Sequence, residues 1–249
     1  RVDTEYPTIC PSVAGGDLVS HGATAQVTAT SNAGYGFVNW SDSGGVVSTD
    51  AEYSFTAAAN RTLTATFAVE PITGLSAQNS SPTPLGSATF FTASIGGGTG
   101  VGYAWSFGNG ASAVGATAMY TYPAPGAYTA WVTATNGITS ASANTVVQVV
   151  ALDAYAAQPG IAIDGAVVIS ALLKPPAAGE TISFTLVSGS GALSDASAVT
   201  DGSGVAVVTY TAPNTTTVAR IEAVVANLPA VTDTIYVHVA APVSAGQTQ

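Results

Sequence analysis

Residues 127–136 read AYTAWVTATN. Tyr128, Ala130, Val132 and Ala134 fall on one side of this decapeptide, and Thr129, Trp131, Thr133 and Thr135 on the other. Side chains alternate across a β-strand, so a period of two with one apolar and one hydroxylated side predicts a half-buried strand of an antiparallel sheet. The misfit is Trp131, a large aromatic on the threonine side, which makes it a candidate contact residue for another subunit or a sugar ring.

The same period runs outward in both directions. TAQVTATS (24–31) places Ala25, Val27 and Ala29 together, and RTLTATFAV (61–69) places Leu63, Ala65, Phe67 and Val69 inward. TISFTLVS, VAVVTYTA and TDTIYVHV continue it toward the C-terminus, and in the last of these Tyr236 opposes Ile235, Val237 and Val239. Gly, Asn, Pro and Ser clusters punctuate these segments, and none of them shows a capped 3.6-residue period. The prediction is an all-β chain of three small antiparallel modules in tandem. AVEPITG (68–74) and VVALDAYAAQPG (149–160) break the rhythm and set the modules at 1–69, 70–151 and 152–240, followed by a tail at 241–249 that reads as an exchanged strand or a simple extension.

Charge is nearly absent. Four basic residues, Arg1, Arg61, Lys174 and Arg220, face fourteen acids, the formal net charge is −10, and only 7% of the 249 residues are charged. From Pro71 to Leu152 there is no Asp, Glu, Lys, Arg or His. Nothing here can neutralise a phosphate backbone or an anionic lipid surface, which excludes nucleic-acid binding and membrane-surface binding. No segment approaches 18 consecutive apolar residues, so no membrane insertion is expected, and the start RVDTEYPTIC lacks the apolar core of a signal peptide, which reads as a soluble, already trimmed chain. Cys10 has no partner for an internal disulfide and reads as a small buried hydrophobe, with an intermolecular bridge as the alternative.

Each module resembles a family of bacterial surface proteins. GYGFVNWSDSGG with NRTLTATFA, through Gly34, Tyr35, Phe37, Trp40, Arg61, Leu63, Ala65 and Phe67, resembles the divergent internalin-type B repeat over residues 5–69. YAWSFGNG (103–110) with YTYPAPGAYTAWVTATN resembles the PKD domain over residues 71–150, an immunoglobulin-like β-sandwich of secreted bacterial and archaeal proteins. The usual turn of that family is Trp-Asp-Phe-Gly-Asp-Gly; here Ser106 and Asn109 replace both acids, while Trp105 and Phe107 keep the packing pair and Gly108 and Gly110 suit positive φ. GETISFTLVSGSGALSDASAVTDGSGVAVVTYTAP resembles the invasin/intimin-type bacterial immunoglobulin-like domain over residues 152–240. These resemblances imply a secreted or cell-surface bacterial protein built from spacer, stalk or fibre modules.

Candidate chemistry is sparse. SDSGG (41–45) contains the Asp-Ser-Gly-Gly that surrounds a protease nucleophile, but Ser41 and Val46 break the flanks and His21 lacks its context, so a hairpin turn is expected. His21 and His238 lie in different modules, and no catalytic, cofactor-binding or metal-ligating set is expected. Calcium is the one ion the turn acids Asp42, Asp50 and Glu52, or Asp195 and Asp201, could serve; solvated acids are the alternative. Asn39, Asn60, Asn79 and Asn214 head Asn-x-Ser/Thr sequons and are candidate glycosylation sites.

Soluble domains carry charge on about 25–35% of surface positions, and a surface near zero charge promotes association. The leading expectation is therefore a non-enzymatic extracellular subunit that assembles with copies of itself into a filament, sheath or surface layer, through sheet edges or through the terminal segments Arg1–Tyr6 and Ala240–Gln249. An adhesin stalk or spacer is one alternative. A polysaccharide-binding accessory region of a secreted hydrolase, with Trp131 as its platform, is the other.

Overall fold

A computed structural model describes residues 12–14 and 19–241. The expectations placed on Cys10, on Arg1–Tyr6 and on the tail from residue 242 fall outside the described residues. Every regular element among those described is a strand, so the chain is all-β as the alternation predicts. Packing divides it into two compact units: Arg1–Gln78 with Phe91–Ala118 and Ala130–Thr145, and Asn79–Phe90 with Met119–Thr129 and Val146–Gln249.

In the first unit, Ser12–Ala14, Thr24–Thr30 and Glu52–Thr56 form one antiparallel three-stranded sheet, with the middle strand in sequence also the middle strand in space. Gly45–Ser48, Tyr35–Asp42 and Thr64–Val69 form a second. Val27, Ala29, Trp40 and Leu63 are buried between them, with Phe37, Phe55 and Phe67 packed around. Trp40 is fully buried and its indole Nε1–H donates to the Ala51 carbonyl at 3.2 Å, so the largest side chain of an alanine-rich core also satisfies its one polar atom. Val69 departs from the inward alternation: it is 48% exposed, because the Tyr35–Val69 pair is the last rung of its ladder and no core lies beyond it.

The same unit holds the YAWSFGNG turn. Gly102–Ser106 pairs with Ser112–Val114 on one side and with the strand Gly126–Thr135 on the other. Trp105 and Phe107 are buried and both pack against Phe91, at ring-centroid distances of 5.3 and 4.9 Å. Gly108 and Gly110 adopt φ of 79° and 92°, the left-handed region that an L side chain enters at a cost. The Trp105 indole donates to the Gly115 carbonyl at 3.1 Å, which closes the hairpin over the core.

The second unit contains a β-sandwich. In one sheet the second half of the strand Ser140–Ala156, from residue 151 on, pairs antiparallel with Ala166–Lys174; that strand pairs with Val205–Thr211, and Ala192–Leu193 follows. The other sheet runs in the order Gly160–Ala162, Leu228–Ala240, Thr217–Val225, Thr181–Ser188, Ser197–Val199. Ile169, Ala171, Ile182, Phe184, Val208, Tyr210, Ile221 and Val237 fill the space between the two sheets. Each comes from the apolar register of an alternating strand, which is why composition rich only in Ala, Val and Ile suffices to build a core about 10 Å thick.

Candidate contact surfaces and junctions

Trp131 stands on the outer side of its strand and is 48% exposed. Ser106 is its partner across the ladder and Ser112 is the next residue in that row, while Ala104 and Val114 occupy the adjacent one. Short side chains flank the indole, so it rises from an uncharged platform on which Val114 is also exposed. Tyr236 lies on an outer face of the second unit, 54% exposed, with Arg220 as its cross-strand partner.

Of the sequon residues, Asn60 and Asn214 are exposed in loops, and Asn39 is half-buried within the strand Tyr35–Asp42. Asn79 uses its amide structurally: Nδ2 donates to the Val146 carbonyl at 2.9 Å and Oδ1 accepts from the Ser81 amide at 2.7 Å.

The turn acids are engaged locally. Asp42 accepts from Arg61 Nε at 2.9 Å and Nη2 at 2.7 Å, and from the Gly44 amide at 2.8 Å. These bonds, the Arg61 pair foremost, hold its carboxyl below the usual carboxylate range. They also make Asp42-Ser43-Gly44-Gly45 the turn joining two strands, the expected hairpin. Asp201 Oδ1 accepts from the amides of Val205 and Ser203 and from the Ser203 hydroxyl, which likewise lowers its pKa. Glu52 accepts from Gln26 at 2.6 Å. Among the described residues no three His, Cys, Asp or Glu side chains come together as a metal-binding group.

Two junctions carry more structure than sequence reading assigned them. At the first, within the first unit, the Asn136 side chain is buried and bonded through both its amide nitrogen and its oxygen: Nδ2 donates to the Glu70 carbonyl, and Oδ1 accepts from the amides of Ile138 and Thr139 and from the Thr139 hydroxyl. The Thr139 hydroxyl in turn accepts from the Ile72 amide at 3.2 Å. Gly34 donates to the Thr99 carbonyl and accepts from the Glu70 amide. A Cβ on Gly34 would meet Ile138 Cδ1 at 2.9 Å, and one on Gly100, at φ 63°, would collide with Ala33.

The second junction is a single 17-residue strand, Ser140–Ala156. Within the second unit its Val149 and Val150 pair in parallel with Thr83 and Pro84, and its Ala151–Ala156 stretch pairs antiparallel with Ile169–Lys174. Leu85 donates to the Val150 carbonyl at 2.8 Å, and Asp233 Oδ2 accepts from the Ala154 amide at 2.8 Å. The charge and Gln-Pro-Gly that mark the boundary in sequence lie at and beyond the end of this strand.

The D00-D0 domain of intimin is among the similar solved structures, at 18% identity and a TM-score of 0.44, covering 67% of this chain and 99% of that one. FdeC, an Escherichia coli adhesin, is similar at 16% identity and a TM-score of 0.43, covering 92% and 96%. The three N-terminal domains of the bacteriophage RB49 outer capsid protein Hoc are similar at 12% identity and a TM-score of 0.37, covering 94% and 99%. No curated protein sequence matches the chain. Residues 6–71 match the model of the divergent InlB B-repeat domain. Residues 74–149 match that of the PKD domain, so segments similar to two families of β modules follow one directly after the other.

Proposed function

We propose that this chain is a non-enzymatic spacer segment of a bacterial cell-surface protein, a stalk of the kind found in adhesins. The observation that carries the reading is the continuous strand Ser140–Ala156, which spans the boundary between the second and third modules and is paired along its second half to strands on both sides. A spacer transmits position, so its modules must not hinge freely. Paired backbone resists bending where an unpaired linker would not. The likeness to FdeC, an Escherichia coli adhesin, favours the same direction.

Assembly with copies of itself is a second reading, favoured by the absence of charge between Pro71 and Leu152 together with the exposure of Phe90, Val114, Met119 and Trp131. Sedimentation and electron microscopy of the full chain at high concentration separate the two. Discrete monomers are expected for the spacer; filaments or sheets would replace it with the assembling subunit.

A further inference from the structure

The described cations are not equivalent. Arg61 and Lys174 are ion-paired with Asp42 and Asp153, at 2.7 and 2.9 Å. Arg220 makes no ion pair, and its Nε is hidden from solvent without a hydrogen-bond acceptor. Among the three described basic residues, one guanidinium left without a carboxylate is a feature to account for, because buried donors are ordinarily satisfied.

Its surroundings form one continuous outer face of the second unit. Arg220 has Ser188 across the ladder on one side and Tyr236 on the other. His238 is the next outward residue after Tyr236, exposed and paired across with Val218 and with Gly160 of the edge strand. Beside His238 an open groove is lined by small residues, among them Gly160, Ala162 and Ala240. Glu222, two residues along the strand from Arg220, faces Thr185 and Thr234 across the ladder and makes no ion pair with it.

We propose that this face binds a glycan bearing a single carboxylated sugar, with Arg220 receiving the carboxylate, Tyr236 lying against the sugar ring, and His238 and the small-residue groove receiving the adjoining neutral sugar. A guanidinium offers a planar fork matched to a carboxylate; the hidden Nε is closed to a ligand, and the two terminal nitrogens, which bond no described residue, are the donors that would receive it. A half-exposed phenol beside it supplies the flat apolar surface that the C–H face of a sugar requires. The ligand carries few charges because the chain has a net charge of −10: a nucleic acid, an acidic peptide or a polyuronate would meet one cation and a repulsive field. This assignment is independent of the spacer reading, since a self-assembling subunit could carry the same face.

The test is binding of sialyllactose and of a glucuronate-terminated disaccharide to the full chain, read by amide chemical-shift changes, with lactose and a hexaglutamate peptide as comparisons. An acidic sugar is expected to shift the amides of Arg220, Tyr236 and His238, and lactose and the peptide are not. Arg220→Gln should weaken binding at least about tenfold and Arg220→Lys by several-fold, because an ammonium lacks the fork. Tyr236→Ala, an exposed position that leaves the core untouched, should also weaken it, and Trp131→Ala should not. The proposal is overturned if neither acidic sugar binds at millimolar concentration, if lactose or hexaglutamate binds as well, or if Arg220→Gln and Tyr236→Ala with unchanged melting temperatures bind like the parent.

Discussion

Residues 70–73 and residues 149–156 lie in the two stretches where the sequence rhythm breaks, and they are held by different means. The first junction is a loop fixed from outside. Glu70 and Ile72 reach the Asn136–Thr139 turn through one side-chain amide and one hydroxyl, and Gly34 and Gly100 are places where a Cβ would obstruct. The second is regular secondary structure, a strand long enough to pair with Thr83–Pro84 and then with Ala166–Lys174. The lesson is that a boundary can be stiffened by a few polar groups at fixed points or by distributing many backbone bonds along a ladder. The first device is vulnerable to single side-chain changes and the second to changes in the backbone.

That contrast can be broken at three points, in falling order of effect. Leu152→Pro should be the most damaging, because it removes a ladder position and a buried side chain at once; a loss of about 5 kcal/mol is expected in urea unfolding. A loss under about 1 kcal/mol would mean that the strand is not what holds this junction. Asn136→Ala should cost about 2 kcal/mol, since it strands the Glu70 carbonyl and two amides of the turn. The companion Thr139→Val should cost about 1 kcal/mol and specifically accelerate hydrogen exchange at the Ile72 amide, whose acceptor it removes. If exchange across residues 149–156 rose as much as at Ile72, the two junctions would not be independent.

Acid should have the smallest effect. Asp42 and Asp201 have pKa values lowered in the folded chain, by the Arg61 pair and by the Val205 and Ser203 donors respectively. A carboxyl depressed on folding contributes stability that is full above its unfolded value and is lost as pH falls through the folded one. Unfolding midpoints should therefore be flat above about pH 5 and decline below about pH 4. Asp201→Asn should flatten part of that decline. Asp42 lies at a hairpin turn and Asp201 in a loop between strands of two different sheets, and neither bonds the Ile72 amide, which should keep its protection through the same range, measured by exchange with the intrinsic rate corrected for pH.

Much of the fold can be read along the chain because strands record it locally. A residue on a half-buried strand is apolar or hydroxylated according to its side, so Val132, Ala134, Ile182, Phe184 and Val237 all announce their burial by position alone. Trp131 and Tyr236 announce their exposure in the same way. Val69 is the informative miss: alternation says which side a residue faces but not whether a core extends that far. The candidate site was legible only in part. Tyr236 stood out as an aromatic on the wrong side, whereas in sequence Arg220 is only one of four basic residues and His238 one of two histidines, since their meeting depends on cross-strand register between Thr217–Val225 and Leu228–Ala240.

The sequence by itself determined the class of fold, the packing role of Trp105 and Phe107, and the uncharged character of residues 71–152. These are properties of period, composition and short-range turn chemistry, which a chain carries whether or not it is folded. Only the tertiary structure decided which residues meet across strands and across boundaries: Asn136 with Glu70, Ser140–Ala156 with partners on both sides, Arg220 with Tyr236 and with no acid. Such contacts join positions tens of residues apart, and register, unlike alternation, is fixed only when a whole sheet closes on its core.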